Sequence, residues 1–362
     1  MTPAVLTRRA LNRALLQRQM LLNRRTASPH AAIQHLVGMQ AQEPQAPYIG
    51  LWTRLAPFQP QELSDLIAQR RAVRASLMRS TIHLVTAEDC LALWPLMRVV
   101  LARAWRGSTF SKTLDGVDLD EVLSVGRDLI RQQPRTRAEL SALLAERWPG
   151  FDAASLAYAI TFLTPIVQVP PRGLWRESGP PRWTTAESWL GKELVAEPSV
   201  EDVVLRYLAA YGPANVRDIQ AWSGLTGLRA VTNRLADRLR TFVDERGNEL
   251  FDVMDAPLPD PRTPARPRFL PPFDNAVLAH ADRSRIIARE DRDAVYRDRL
   301  MRTFLVDGFV AGSWQLDGGT LRVTPLRPLP TQDRRALEAE GERLLAFAAP
   351  DAIAHVIEIA TP

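Results

Sequence analysis

SVEDVVLRYLAAYGPANVRDIQAWSGLTGLRAVTNRLADRLRTFVDERGNELFDVM, residues 199–254, carries two hydrophobic periods in succession, and their order decides the fold. Ser199 caps a helix whose Val203, Val204, Leu208 and Tyr211 recur at helical spacing until Gly212-Pro213 ends it. A second, short helix starts at Asn215, with Asp218 three residues on, and runs through Ile219 and Trp222. After the turn at Ser223-Gly224-Leu225, a third helix puts Leu228, Val231, Leu235 and Leu239 on one face. The period then drops to two. Thr241-Phe242-Val243 and Leu250-Phe251-Asp252-Val253 flank the turn-forming Gly247-Asn248, a hairpin signal. Three helices followed by a hairpin describe a winged helix.

The same order recurs twice upstream. Helices are expected near 119–131, 136–147 and 153–163, before strands at 166–169 and 183–185. A first unit opens with a helix capped by Thr7 that faces Leu11, Leu15 and Leu22 to one side. It continues through helices near 29–38 and 60–70, a hairpin of 73–78 with 81–86 about Arg79-Ser80, and a helix at 87–105. Five prolines in 255–268 make a stiff linker. Beyond it, strands at 276–278, 304–306, 309–314 and 321–323, two of them preceded by Asp-Gly turns, form a small antiparallel barrel or sheet, backed by a helix at 331–348 and closed by 355–359. The expected architecture is α+β and mainly α: winged-helix units over 1–110, 111–197 and 198–256, then the linker and a C-terminal β-barrel over 257–362.

The composition narrows the function. Of 362 residues 46 are basic, and only Lys112 and Lys192 are lysines. Residues 1–110 hold 14 Arg against 5 Asp or Glu, while the whole chain carries only +5. Charge gathered in one segment is the footprint of a nucleic-acid surface, with a solvated basic face as the plain alternative. The single Cys90 allows no intrachain disulfide and no cysteine zinc site, and no apolar run approaches a membrane span, so a reducing cytoplasm is expected. No phosphate-binding loop, dinucleotide fingerprint or nucleophile elbow occurs, and the five histidines lack metal-ligand spacing. Neither cofactor nor metal is expected.

One segment stands out. A helix carrying Ile33, Leu36 and Val37 leads into Gln40-Ala41-Gln42, ahead of Glu43-Pro44 and Pro47. In extended geometry both amides point the same way. By itself such a pair reads as a solvated helix end. The surrounding text changes that reading: residues 36–42, Pro47-Tyr48-Ile49-Gly50-Leu51-Trp52, Leu77-Met78-Arg79-Ser80-Thr81-Ile82-His83-Leu84-Val85, and Leu270-Pro271-Pro272-Phe273-Asp274-Asn275 running on to Arg285. In these blocks the chain resembles the AlkZ/YcaQ-type winged-helix DNA glycosylases, over nearly its full length. The resemblance implies three tandem winged helices and a β-barrel in a C shape around duplex DNA, and excision of bulky N7-alkylguanine adducts with unhooking of interstrand crosslinks. It places the catalytic motif on Gln40 and Gln42, in the Gln-type branch associated with self-resistance to alkylating natural products. Arg79 at the first hairpin tip, and His280, Arg283 and Arg285 after the barrel strand, are the candidate DNA contacts.

A glutamine amide neither gains nor loses a proton at neutral pH, so it can orient a water or a charge but cannot act as a general base. Such a site suffices only for an activated leaving group, and guanine alkylated at N7 is already cationic. Glu43 is the adjacent carboxylate, readable as a base or as a solvated side chain. The absence of a lysine near the motif argues against a Schiff-base lyase step. The expected protein is a monomeric, monofunctional glycosylase acting on double-stranded DNA with alkylated guanine. A winged-helix transcription regulator and a non-catalytic binder of damaged DNA are the rival readings.

Overall fold

The computed structural model describes residues 3–297 and 302–361. In the deciding stretch, helices Val200–Tyr211, Val216–Ser223 and Leu228–Arg234 precede strands Leu239–Asp244 and Glu249–Val253. Local chemistry sets their ends. The Ser199 hydroxyl accepts from the Asp202 amide at 3.0 Å, Asn215 and Asp218 form a reciprocal capping box, and Gly224 turns the chain in the left-handed region. One contact was not foreseen: Val5–Leu6 adds a parallel strand to this hairpin, pairing with Val243 and Asp244.

Upstream, helices Leu119–Gln132, Arg137–Arg147 and Ala153–Leu163 and strands Ile166–Gln168 and Trp183–Thr185 lie where periodicity puts them. Their two strands do not stand apart. They join hairpin Ala72–Ser76 and Ile82–Thr86 in one antiparallel sheet, because Ala75 pairs with Val167 and Arg74 with Gln168. The far edge of that sheet is Met39–Gln40, so the glutamine motif begins on an edge strand, with Ala41 and Gln42 just beyond it.

The C-terminal part departs from expectation. Its five strands run in the order Val356–Ile359, Thr320–Pro325, Phe309–Asp317, Thr303–Val306, Arg268–Phe269, and the two end strands do not meet. This is an open sheet rather than a closed barrel. Nor is it wholly antiparallel: the long helix Thr331–Ala348 crosses between Thr320–Pro325 and Val356–Ile359, and a strand returning through a helix pairs parallel. The strand expected at 276–278 is the helical turn Asn275–Leu278, started by Asp274, whose carboxylate accepts from the Ala276 amide at 2.8 Å. Among the described residues no helix is long and apolar enough to cross a membrane.

The arginines of the first 110 residues correct the electrostatic reading. Arg9 and Arg13 reach Asp307, Arg18 reaches Asp252 at 2.6 Å, Arg24 reaches Glu340 at 2.7 Å, and Arg54 holds Asp274 through two bonds of 2.7 and 2.9 Å. Much of the basic excess is therefore docking chemistry that joins the first segment to acids far along the chain. The buried core follows the same joints, since Leu15 and Leu16 pack in one cluster with Tyr207, Trp222, Ala276 and Ile286.

Two histidines are interior. His83 has no exposed surface, and burial first, then the nearby Arg79 charge, pushes its pKa down to about 3. His280 is equally enclosed, donates Nε2–H to the Tyr211 carbonyl at 3.0 Å, and is held well below its ordinary value by burial and by Arg285. Both are neutral in the fold and basic once unfolded, so the unfolded chain takes up protons first as pH falls below about 6.5, and stability falls with it. For His83 this is a loss of about 2 kcal/mol between roughly pH 7 and pH 5, and His280 acts in the same direction. Urea unfolding at the two pH values should show this loss, reduced in His280→Asn; an equal pH dependence in the variant would contradict it. For the buried ion pair, Asp274→Ala should destabilise by roughly 3–5 kcal/mol, with much of that recovered by the apolar pair Arg54→Met, Asp274→Leu. Denaturant midpoints for the single and double variants measure it.

Candidate active site

The site begins where a helix fails. Pro29–His35 ends because Val37 and Gly38 both take positive φ, 53° and 92°, which turns the chain out of the helix and into the edge strand Met39–Gln40. Glycine is required at 38: a Cβ there would lie 2.6 Å from Val85 Cγ1. The strand is then fixed from two sides. The Ala41 amide donates to the Ile82 carbonyl at 2.8 Å, and buried Arg74 donates to the Ala41 carbonyl at 2.8 Å. Ala41 is fully buried while Gln40 is half-buried and Gln42 exposed, the alternation of an extended chain. A polar–apolar–polar motif fits this backbone: the middle side chain enters the core and the outer two do not.

Each amide is held by its oxygen. Gln40 Oε1 accepts from Arg79 Nη2 at 2.8 Å, and Gln42 Oε1 accepts from the Ile82 amide at 3.3 Å. A guanidinium only donates, so Gln40 must turn its oxygen toward Arg79. Arg79 is itself tied down, by Asn275 Oδ1 at 3.1 Å and by the Trp222 carbonyl at 3.0 Å. Burial, with a lesser push from the Arg283 charge, lowers its pKa to about 10, so it remains a cation at neutral pH. Asn275 reaches the Gly38 carbonyl at 3.4 Å, and the Tyr211 hydroxyl donates to the Leu36 carbonyl at 2.9 Å. Gln40, Asn275, Tyr211 and the Arg54–Asp274 pair line one small cleft.

The expected DNA contacts divide. Arg79 points inward, to Gln40. His280 and Arg285 are buried, Arg285 donating to the Pro213 carbonyl at 2.8 Å beside Asp218, so neither side chain reaches the surface. Arg283 is half-buried and lines a cleft with Arg246, Ser284, Arg289 and Arg292. Glu43 is neither free nor buried: Arg302 holds it at 3.2 Å. Sequence reasoning gave no role to Asn275, Asp274, Tyr211 or Arg54. The signal for the first two was present in the Leu270–Asn275 block, which served only as a mark of resemblance. No grouping of His, Cys, Asp and Glu able to hold a metal is found among the described residues.

With this geometry in place, comparison with known proteins is informative. A family model described as DNA glycosylase AlkZ-like matches residues 33–347, which takes in the motif strand, Arg79 and Asn275. An interstrand DNA cross-link repair glycosylase of Streptomyces sahachiroi is 24% identical over 360 residues, covering 90% of this chain and 92% of its own. The solved structure of Streptomyces sahachiroi DNA glycosylase AlkZ superposes with a TM-score of 0.81 at 21% identity, over 98% of this chain and all of that one. The regulator reading gives way: the chain belongs to the AlkZ-like DNA glycosylases.

Proposed function

We propose that this glycosylase hydrolyses the N-glycosidic bond of N7-alkylguanine in duplex DNA, bulky adducts and interstrand crosslinks included, with Gln40 and Gln42 as its catalytic residues. One observation carries the reading: two amides flanking the buried Ala41, each anchored through its oxygen, in a chain of this family. An amide oxygen has two lone pairs, so each keeps one for a water proton or for the positive charge that builds on the sugar. Neither residue protonates the departing base. The chemistry is adequate because a guanine alkylated at N7 is cationic before the bond breaks and leaves neutral. The name of the Streptomyces relative, a cross-link repair glycosylase, supports extending the substrate to crosslinks.

The scaffold suits such a substrate if the winged-helix units 1–110, 111–197 and 198–256 and the C-terminal sheet form an open channel from a single chain. A base tethered to the opposite strand cannot rotate fully into a closed pocket. Arg283, with Arg246 and Arg289 beside it, is the phosphate contact in this arrangement. Lys112 and Lys192 are the only lysines, so the product is an abasic site without lyase cleavage. The role is repair of, or self-resistance to, an alkylating genotoxin.

The test is base release from N7-alkylguanine and crosslinked duplexes, read as alkali-dependent strand breaks. The native protein should release the base, and Gln40→Ala and Gln42→Ala should each lose on the order of a hundredfold or more in rate. No release by the native protein from any such duplex, or undiminished rates in both variants, would overturn the reading.

A further inference from the structure

Arg79 sits at a hairpin tip, where an arginine is expected to reach outward, yet its guanidinium bonds inward, to Gln40 Oε1, Asn275 Oδ1 and the Trp222 carbonyl. Its backbone is also unusual. Arg79 and Ser80 both lie in the left-handed region, φ 53° and 60°, which non-glycine residues adopt only when the surroundings impose it. Those surroundings are visible. The turn at Gly224 packs on the loop so closely that a Cβ there would meet Val100 Cγ1 at 2.6 Å and the Arg79 amide nitrogen at 3.6 Å. Trp222, near the C-terminal end of Val216–Ser223, offers its carbonyl to the cation, the favourable pole of a helix. Asn275 is locked from its other end by the Gly38 carbonyl and stands next to Asp274, whose carboxylate Arg54 grips.

Resting on the assignment of Gln40 as catalytic, we propose that Arg79 is the positioning residue of the motif, acting through Gln40 rather than on DNA. Three segments distant in sequence, the hairpin tip, the 216–223 helix and the Asn275 turn, hold one guanidinium still. The guanidinium then decides which edge of the Gln40 carboxamide faces the substrate. Without it the amide can rotate by half a turn and exchange oxygen for NH2, shapes nearly alike but opposite in hydrogen-bonding sense. A hydrogen bond from a cation also polarises the amide more strongly than the neutral Ile82 amide polarises Gln42. The two glutamines are therefore unequal, and Gln40 is the one whose orientation is imposed.

A double-mutant cycle on the full chain separates this from a phosphate contact and from a purely structural role. Single-turnover base release at saturating N7-methylguanine duplex, and affinity for the same duplex undamaged, are measured for the native protein, Arg79→Met, Gln40→Ala and the double variant, with Asn275→Ala as a milder perturbation should Arg79→Met not fold. The expected result is a loss of roughly ten- to a hundredfold in the saturated rate for Arg79→Met, with affinity changed less than about threefold. In the Gln40→Ala background the same substitution should cost nothing further, because its only route to the chemistry is gone. Losses that multiply would overturn the proposal, as would a fall in affinity with the saturated rate retained. If Asn275→Ala is the variant read, the same two outcomes decide it. A native protein that releases no base, or Gln40→Ala at full rate, removes the glutamine reading and this inference with it; multiplying losses against a live native enzyme and a slowed but measurable Gln40→Ala remove the inference alone.

Discussion

A buried guanidinium clasped by a buried carboxylate, Arg54 on Asp274, is the constraint on which the site depends. Neither charge could sit in the interior without the other, since each has given up its water. The geometry is demanding as well as the charge: two parallel bonds fix both planes, where a single contact would allow rotation. Arg54 lies just past the helix Ala46–Trp52, and Asp274 starts the turn that carries Asn275. Once they are joined, Asn275 has little freedom. It stands at the Gly38 carbonyl and Arg79, and Arg79 meets Gln40. A chain of bonds thus runs from a structural ion pair to the amide assigned to catalysis.

The same economy governs the other arginines. Arg9, Arg13, Arg18 and Arg24 act as Arg54 does, joining the first segment to Asp307, Asp252 and Glu340. In that light the basic start and the slightly acidic remainder of the chain are two halves of one set of contacts. Arginine suits the task because its planar fork meets a carboxylate face on and still has donors for backbone carbonyls, as Arg18 shows by bonding both Asp252 and the Leu208 carbonyl. Placement within the fold, more than net charge, then decides which arginines stand near the surface, and Arg283 in its cleft is one of them.

Periodicity made most helices and the hairpins at 72–86 and 239–253 legible, because an amphipathic stripe or an alternating strand leaves its mark in consecutive residues. What escaped has a common character. The helix Ala46–Trp52 hid behind Pro44 and Pro47, though proline is tolerated in a first turn. Residues 276–278, part of the turn Asn275–Leu278, were read as a strand because three apolar residues are too few to show a period. The open, partly parallel C-terminal sheet turned on which strands pair, a long-range choice that local turns do not record. The inward course of Arg79, His280 and Arg285 was equally hidden, since a polar residue at a turn looks exposed until its partners from other segments are known. Gln40 and Gln42 were found, but as a helix end; that Gln40 lies on an edge strand with Ala41 in the core required the Val37-Gly38 reversal to be seen.

The amide-based site proposed for Gln40 and Gln42 would differ in one respect from a site built on a carboxylate or a lysine. With no acid to protonate the base and no nucleophile to displace it, the rate must follow the leaving ability of the base itself. The most direct measurement is single-turnover release from one duplex sequence carrying, at the same position, N7-methylguanine, unmodified guanine or uracil opposite its partner. The account predicts release of the cationic base alone, with the two neutral bases left intact at matched binding. Comparable release of uracil or unmodified guanine would show that the site supplies activation of its own, and would contradict it.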